Sequence, residues 1–193
     1  MAGWLTDGVS QPAVFTGLET FNADTNNVGG ANPQMVAYTI TQLATALKYF
    51  GAQLDKTTVA GTRYYTSVIV GNPAVLTGVN VLVGGTGGTD EWLVELHGPT
   101  GNLLATSNTA GVTAGTANTW QQIPFTATYN LTVPGTYFVA LQSNGTTAKP
   151  ATYDAPTNPG LLTGSATGTF GTGASITPPT TYTANVGPIV ALY

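Results

Sequence analysis

Three ionisable side chains in one short stretch could support acid–base catalysis, and they are Glu91, Glu95 and His97. On a strand, the Cα atoms of Glu91 and Glu95 would lie roughly 13 Å apart at about 3.3 Å per residue. Glycosidase carboxylate pairs lie closer together, at about 5–9.5 Å. His97 is the only histidine, so any Ser-His-Asp triad or histidine metal site must include it, and no nucleophile elbow adjoins it. The sequence therefore favours a structural role for these residues.

The element that carries these side chains is a predicted β-strand. Trp92, Val94 and Leu96 alternate with the ionisable residues, a pattern typical of a strand with one buried side. We expect the apolar side chains to face a core and the ionisable ones to face solvent. The Gly-Pro-Thr-Gly turn at 98–101 and the run 102–105 that follows predict a hairpin.

A second unit of the same kind follows along the chain. Trp120, Ile123 and Phe125 precede the turn dipeptide Pro134-Gly135, and a β-rich run begins after it. Two hairpin-like units so close together predict an antiparallel β-sandwich or jelly roll. The strands predicted by this pattern cover 63–70, 75–83, 91–97, 103–106, 119–126, 136–142, 148–153, 168–176 and 189–193.

The composition supports the all-β class and excludes several functions. Charged residues make up 6% of the chain, against about 25% in an average protein. Abundant Thr favours strands, and the Gly and Pro residues mark turns. With a net charge of −4 and only four basic residues, the chain lacks the basic surface that nucleic acid requires. We therefore expect neither DNA nor RNA as a partner.

Targeting signals are the next feature to consider. The first residues have no basic segment followed by an apolar one, and no apolar run approaches the length of a membrane span. The chain has no cysteine, so no disulfide framework or thiolate chemistry is expected. We expect no membrane insertion. A virus particle released by lysis, or an extracellular chain whose signal peptide was removed, would each explain a β-protein of this composition.

The sequence predicts three regions: an extended N-terminal arm at 1–33, a short helix and linker at 34–62 with the helix near 41–50, and a β-sandwich domain at 63–193. The apolar residues in the region 1–33 have no regular spacing. Isolated apolar residues of this kind suit pockets on a partner. A first strand and loop of the same domain is the alternative. The segment 156–188 is expected to lie over the sandwich end or a neighbouring subunit. The arm residues predicted to bind a partner are Trp4, Leu5, Phe15, Leu18 and Phe21.

Other motifs give no catalytic or cofactor site. The glycines at 84–88 lack the Lys and the helix start of a phosphate loop, and the Asn/Asp cluster at 22–27 lacks the Gly and Glu of a calcium loop. We expect no metal and no cofactor. If 63–70 is a strand, either Tyr64 or Tyr65 should be exposed, and an exposed ring could serve as a platform for sugars.

The chain resembles the β-sandwich proteins of tailed-phage virions. The resemblance is carried by VLTGVNVLVGGTGGTDEWLVELHGPTGNLLATSN and NTWQQIPFTATYNLTVPGTYFVALQ, and by the lead-in GLETFNADTNNVGGANPQMVAYTITQLATAL. It implies a capsid decoration (cement) or minor head protein on the capsid surface, with no active-site residues. The implied partners are the major capsid protein and neighbouring copies of the chain, with a trimer favoured. A carbohydrate-binding or adhesin-type module, with an extracellular location, is the alternative.

Overall fold

The computed structural model describes residues 53–154 and 160–193. Within these ranges the chain forms β-strands and no helix, so the predicted all-β class is confirmed. The predicted arm at 1–33 and the predicted helix near 41–50 lie outside the described residues. The strands are β1 (Gln53–Asp55), β2 (Arg63–Val70), β3 (Ala74–Leu82), β4 (Glu91–His97), β5 (Leu103–Thr106), β6 (Val112–Thr113), β7 (Trp120–Leu131), β8 (Gly135–Ser143), β9 (Ala151–Tyr153), β10 (Thr163–Ala166) and β11 (Val190–Leu192).

Two antiparallel sheets form a sandwich. The six-stranded sheet has the order β10-β2-β8-β4-β5, with β6 paired to the first residues of β4. The three-stranded sheet has the order β11-β3-β7. Strands β1 and β9 form a small separate sheet, although the stretch 53–62 was expected to be a loop or linker.

The core lies between the two larger sheets. The inward positions of β4 are apolar, as the alternation predicted, and Trp92, Val94 and Leu96 are fully buried. They meet side chains of the facing sheet across a layer of branched and aromatic residues, which suits strands that are buried on one face. The other main contributors to this core are Leu76, Val79, Val81, Ile123, Phe125, Leu131, Val139 and Leu141.

The two predicted hairpins have different outcomes. Strands β4 and β5 pair antiparallel across the 98–101 turn, as predicted. Strand β7 pairs with β3, whereas β8 pairs with β2 and β4, so the turn with Pro134 and Gly135 connects the two sheets and forms no hairpin. The turn chemistry predicts that the chain reverses, but which sheet receives the next strand depends on which apolar faces meet in the core.

Residues 160–193 form the last part of the chain, and side chains of this part pack against the outer face of the six-stranded sheet. Ile176 lies against Tyr65, Phe138 and Ala140, and the Ser67 hydroxyl accepts from the Leu162 amide at 2.8 Å. The segment was expected over the sandwich end or over a neighbouring subunit, so its position is a correction. Both faces of this sheet are therefore covered around Tyr65 and Phe138, whereas the end of β2 at Ile69 stays exposed.

The prediction of a strand at 168–176 is wrong. The strand in this part of the chain lies earlier, at β10. Residues 168–176 are irregular, with a turn closed by a bond from the Thr172 amide to the Thr169 carbonyl at 3.2 Å. Gly171 has a φ of 78° there, a left-handed conformation that suits glycine and interrupts a strand. Ile176 packs as a single anchor and is not part of an alternating pattern.

Candidate functional site

Two side chains on the outward side of β4, Glu95 and His97, belong to a buried ionic cluster. The Glu95 carboxylate accepts from Arg63 through two bonds, at 2.8 Å from Nε and 3.3 Å from Nη2. His97 Nε2 lies 3.2 Å from the same carboxylate. Two parallel guanidinium–carboxylate bonds fix the orientation of both groups as well as their distance. We call Arg63, Glu95 and His97 the ionic cluster.

The ionic cluster is sealed from solvent. Glu95 and His97 are 0% exposed and Arg63 is 3% exposed. The expectation that Glu95 and His97 face solvent is therefore wrong. The alternation correctly separated two faces of the strand, but a polar face can also be buried when a remote segment covers it and supplies hydrogen bonds. Glu91 differs from them, because it is half-buried and accepts from the Thr113 hydroxyl at 2.8 Å.

Strand β8 lies between β2 and β4 and sets the positions of the charged groups. Arg63 is opposite Gln142, and Glu95 is opposite Ala140. The guanidinium therefore reaches diagonally across β8, and the Ala140 methyl group beside this path occupies little space. Gln142 is also buried, and its amide donates to the Gly61 carbonyl at 2.9 Å. The result is a buried polar group on the outer side of the sheet, beside the apolar cluster around Ile176.

The ionic cluster also holds the segments that cover it. Arg63 Nη2 donates to the Thr172 carbonyl in the last part of the chain. His97 Nδ1 lies 3.3 Å from the Gly101 carbonyl, and the Gly101 carbonyl accepts from the Ile176 amide at 2.9 Å. Each charged group thus has several partners, which is the condition for a buried ion pair to be tolerated.

This geometry does not suit general acid–base catalysis. Both His97 ring nitrogens face acceptors, so neither nitrogen is available to take a proton from a nucleophile. Full burial also keeps a substrate away from the imidazole. Among the residues that the structure describes, no group of three or more His, Asp, Glu or Cys side chains could hold a metal ion.

The prediction that Tyr64 or Tyr65 is exposed as an aromatic platform is also wrong. Tyr64 and Tyr65 are both buried, because both faces of β2 are covered at these two positions. The Tyr64 hydroxyl accepts from the Val59 amide at 3.1 Å, and the Tyr65 hydroxyl lies 3.4 Å from the Thr177 carbonyl. Burial raises the pKa of Tyr65 above its ordinary value. Neither ring offers a face on which a sugar could stack.

Two acidic residues, the exposed Asp55 and the half-buried Asp90, lie at the end where β2 and β4 begin. Asp55 accepts twice from the Gly85 amide, at 2.9 and 3.0 Å. Asp90 accepts from the amides of Thr147 and Ala148, at 2.6 and 2.9 Å. These carboxylates hold neighbouring loops together. We call this end of the sandwich the charged end.

The opposite end has no charged residue in its turns, at 71–73, 98–101 and 132–134. Three large aliphatic side chains at this end face solvent: Ile69 is 68% exposed, Val75 is 63% exposed and Val133 is 62% exposed. We call this the uncharged end. Sequence reasoning missed it, although the signal was present: no charged residue occurs within 64–89 or 98–148. The strand order then brings the turns of these two stretches together.

The remaining predicted site residues lie outside the described part of the chain. They are the arm residues Trp4, Leu5, Phe15, Leu18 and Phe21, whose predicted partner contacts stay predictions. No helix among the described residues is long and apolar enough to span a membrane. Comparison of the chain with protein-family models, curated proteins and solved structures found no match.

Proposed function

We propose that this protein is a structural component of a tailed-phage particle, a capsid decoration (cement) or minor head protein on the capsid surface. Its partners would be the major capsid protein and neighbouring copies of the chain, with a trimer favoured. The observation that carries the proposal is the uncharged end, where Ile69, Val75 and Val133 are exposed and charged residues are absent from the turns. The sequence resemblance described above supports the same class.

The chemistry of the uncharged end suits a protein surface as its partner. Burying a charged side chain in an interface costs desolvation energy that its new partner must compensate. A surface of aliphatic side chains, hydroxyls and amides avoids this cost. Aliphatic side chains also lack the flat ring face on which sugars stack, so the uncharged end favours protein contact over glycan contact.

The buried ionic cluster supports a scaffold role. It joins β2, β4, the 98–101 turn and the segment that ends the chain through bonds with defined directions. A domain of this kind can present its surface without rearrangement, and pre-organised surfaces lose less entropy on binding. In this proposal the protein has no catalytic residues and no cofactor.

The test is binding of the full-length protein to phage particles from the same source. The wild type should co-sediment with the particles, and Val133→Asp should weaken binding at least about tenfold, because a buried carboxylate needs a partner that the interface lacks. Val59→Asp is the matched control, since Val59 is 60% exposed but lies near the charged end. Equal binding by both variants, or absence of the protein from purified particles, would contradict the proposal.

The carbohydrate-binding alternative has lost Tyr64 and Tyr65 as candidate platforms, because both rings are buried. A glycan array probed with the full-length protein tests this alternative directly. A specific response that survives Val133→Asp would replace the virion proposal with a glycan-binding function. No response across a broad array leaves the virion proposal in place.

A further inference from the structure

Strands β5 and β7 form one side of the sandwich, and each is the edge of its sheet. They are joined by the bridge between Ser107 and Phe125 and by a bond from the Thr126 hydroxyl to the Thr106 carbonyl at 3.1 Å. Beyond this point a groove of about 280 Å³ separates them. The groove is lined by Leu103, Leu104, Ala105, Thr106, Thr126, Ala127, Thr128 and Tyr129. We call these eight residues the open flank.

Part of β7 leaves its neighbouring strand at the open flank. Gly78 of β3 is opposite Pro124, but Leu76 is opposite Tyr129, so residues 125–128 of β7 have no Cα partner on β3. Residues 126–128 are exposed in succession, including Ala127, which an unbroken alternation would bury beside Ile123 and Phe125. Residues 126–128 are therefore exposed at a point where β7 is not paired with β3.

The opposite edge of the six-stranded sheet is covered. Thr163 of β10 donates its amide to the Thr181 carbonyl at 3.3 Å. Its hydroxyl donates to the Thr183 carbonyl at 2.6 Å and accepts from the Thr183 amide at 2.7 Å. The chain thus protects β10 from pairing with another strand, as soluble proteins commonly do at sheet edges.

The open flank lacks two of the features that protect an edge, proline and charge, although β5 is short and β7 has a register shift there. Its eight residues include no proline and no charged side chain. Proteins usually place lysine, proline or an inward charge on an exposed edge, because free amide and carbonyl groups pair with strands of other chains. An edge without such residues is suited to pairing in the assembled protein.

The walls of the groove favour an extended strand as its occupant. Its two walls are strand edges, which offer backbone donors and acceptors along a line. Strand addition uses this arrangement, with main-chain bonds supplying affinity.

We propose that the open flank binds a second copy of the same chain, which adds an edge strand there, so that two open flanks face each other across a symmetry axis. A two-fold contact brings the same surface of both copies together, and residues near the axis lie beside their own counterparts, where like charges would repel. The open flank is free of charge although the chain has a net charge of −4. This inference does not depend on the virion proposal.

The test uses opposite charges at one exposed position, Thr128. Sedimentation velocity should show that the full-length wild type self-associates as a dimer, because two identical flanks that face each other are related by a two-fold axis. Thr128→Lys and Thr128→Asp should each weaken self-association at least about tenfold, because like charges then face each other. An equal mixture of the two variants should restore it, since each Lys then faces an Asp. A folding defect could not produce this recovery.

The matched control is Thr167→Lys, which adds the same charge to an exposed position beside the covered β10 edge and should leave self-association unchanged. Three results would overturn the proposal. The first is a wild type that is monomeric. The second is a Thr128→Lys variant that self-associates as strongly as the wild type. The third is a mixture of the two Thr128 variants that stays monomeric. Far-UV circular dichroism of each variant establishes that it is folded.

Discussion

Strand β4 separates two buried layers of opposite chemistry. On its inner side Trp92, Val94 and Leu96 are fully buried among apolar side chains, and on its outer side Glu95 and His97 are equally buried beside Leu93. The inner layer is stabilised by removal of apolar surface from water and by close packing. The outer layer is tolerated because Arg63 and backbone carbonyls compensate its desolvation. Equal burial therefore has different energetic causes on the two sides.

The largest expected effect tests the inner layer. Trp92→Ala should lower the free energy of unfolding by about 4–5 kcal/mol, because it removes a large buried ring and leaves a cavity. Denaturant unfolding followed by far-UV circular dichroism measures the loss. Trp92→Phe is the control and should lose less, because a ring still fills the space and the buried Trp92 Nε1, which has no hydrogen-bond partner, is removed. Similar losses in the two variants would contradict the cavity explanation.

The next effect tests the outer layer. Glu95→Ala should cost about 3–4 kcal/mol, because the Arg63 guanidinium stays buried without its acceptor. The double replacement Arg63→Met with Glu95→Leu should cost much less, since neither charge of that pair then remains buried. The same unfolding measurement compares the two proteins. If the double variant lost as much stability as Glu95→Ala, the ion pair itself would be a net source of stability.

A smaller effect concerns the last part of the chain, where the Tyr182 hydroxyl donates to the Tyr153 carbonyl at 2.8 Å. Burial, with a further contribution from Tyr182, raises the pKa of Tyr153 to about 12 from 10.0. The folded state therefore keeps this phenol proton to higher pH than the unfolded state. The stability that the Tyr153 phenol contributes is fully present below about pH 10. The free energy of unfolding then decreases by about 2–3 kcal/mol as the pH rises to about 12.

The measurement for Tyr153 is a series of denaturant unfolding curves between pH 8 and pH 12. Tyr153→Phe should show a shallower alkaline decrease than the wild type, because phenylalanine has no proton to lose. Some decrease should remain, since burial also raises the pKa values of Tyr65 and Tyr193. Identical pH profiles of the wild type and the variant would exclude Tyr153 as a source of the alkaline loss.

The smallest effect tests the contrast between buried and exposed apolar residues. Ile69 is 68% exposed at the uncharged end, so Ile69→Ser should change the free energy of unfolding by no more than about 0.5 kcal/mol. Leu96→Ala, in the buried inner layer, should cost about 2–5 kcal/mol. A loss for Ile69→Ser near that of Leu96→Ala would mean that Ile69 is covered in solution.

Local patterns were sufficient to predict much of the sandwich. The alternation of Trp92, Val94 and Leu96 identified an inward face because strand geometry repeats every two residues. The turn at 98–101 predicted the hairpin between β4 and β5, because glycine and proline restrict the local backbone in known ways. These features depend on neighbouring residues and can be predicted without knowing the rest of the chain.

The candidate site depended on contacts between distant residues. Glu95 and His97 were expected to face solvent, because a polar side of a strand is usually exposed. They are buried because the last part of the chain crosses them, and Arg63 and Thr172, which meet there, are 109 positions apart. The expectation that either Tyr64 or Tyr65 is exposed was wrong for the same reason, because distant segments cover both rings.

By itself the sequence determined the all-β class, the apolar side of β4 and the stretches that carry no charge. Only the tertiary structure decided that β7 and β8 join different sheets, that the ionic cluster is sealed, and that the uncharged turns share one end. The physical reason is that strand periodicity and turn conformation are local properties. Which side of a strand is covered, and which edge stays open, depends on segments that meet only after folding.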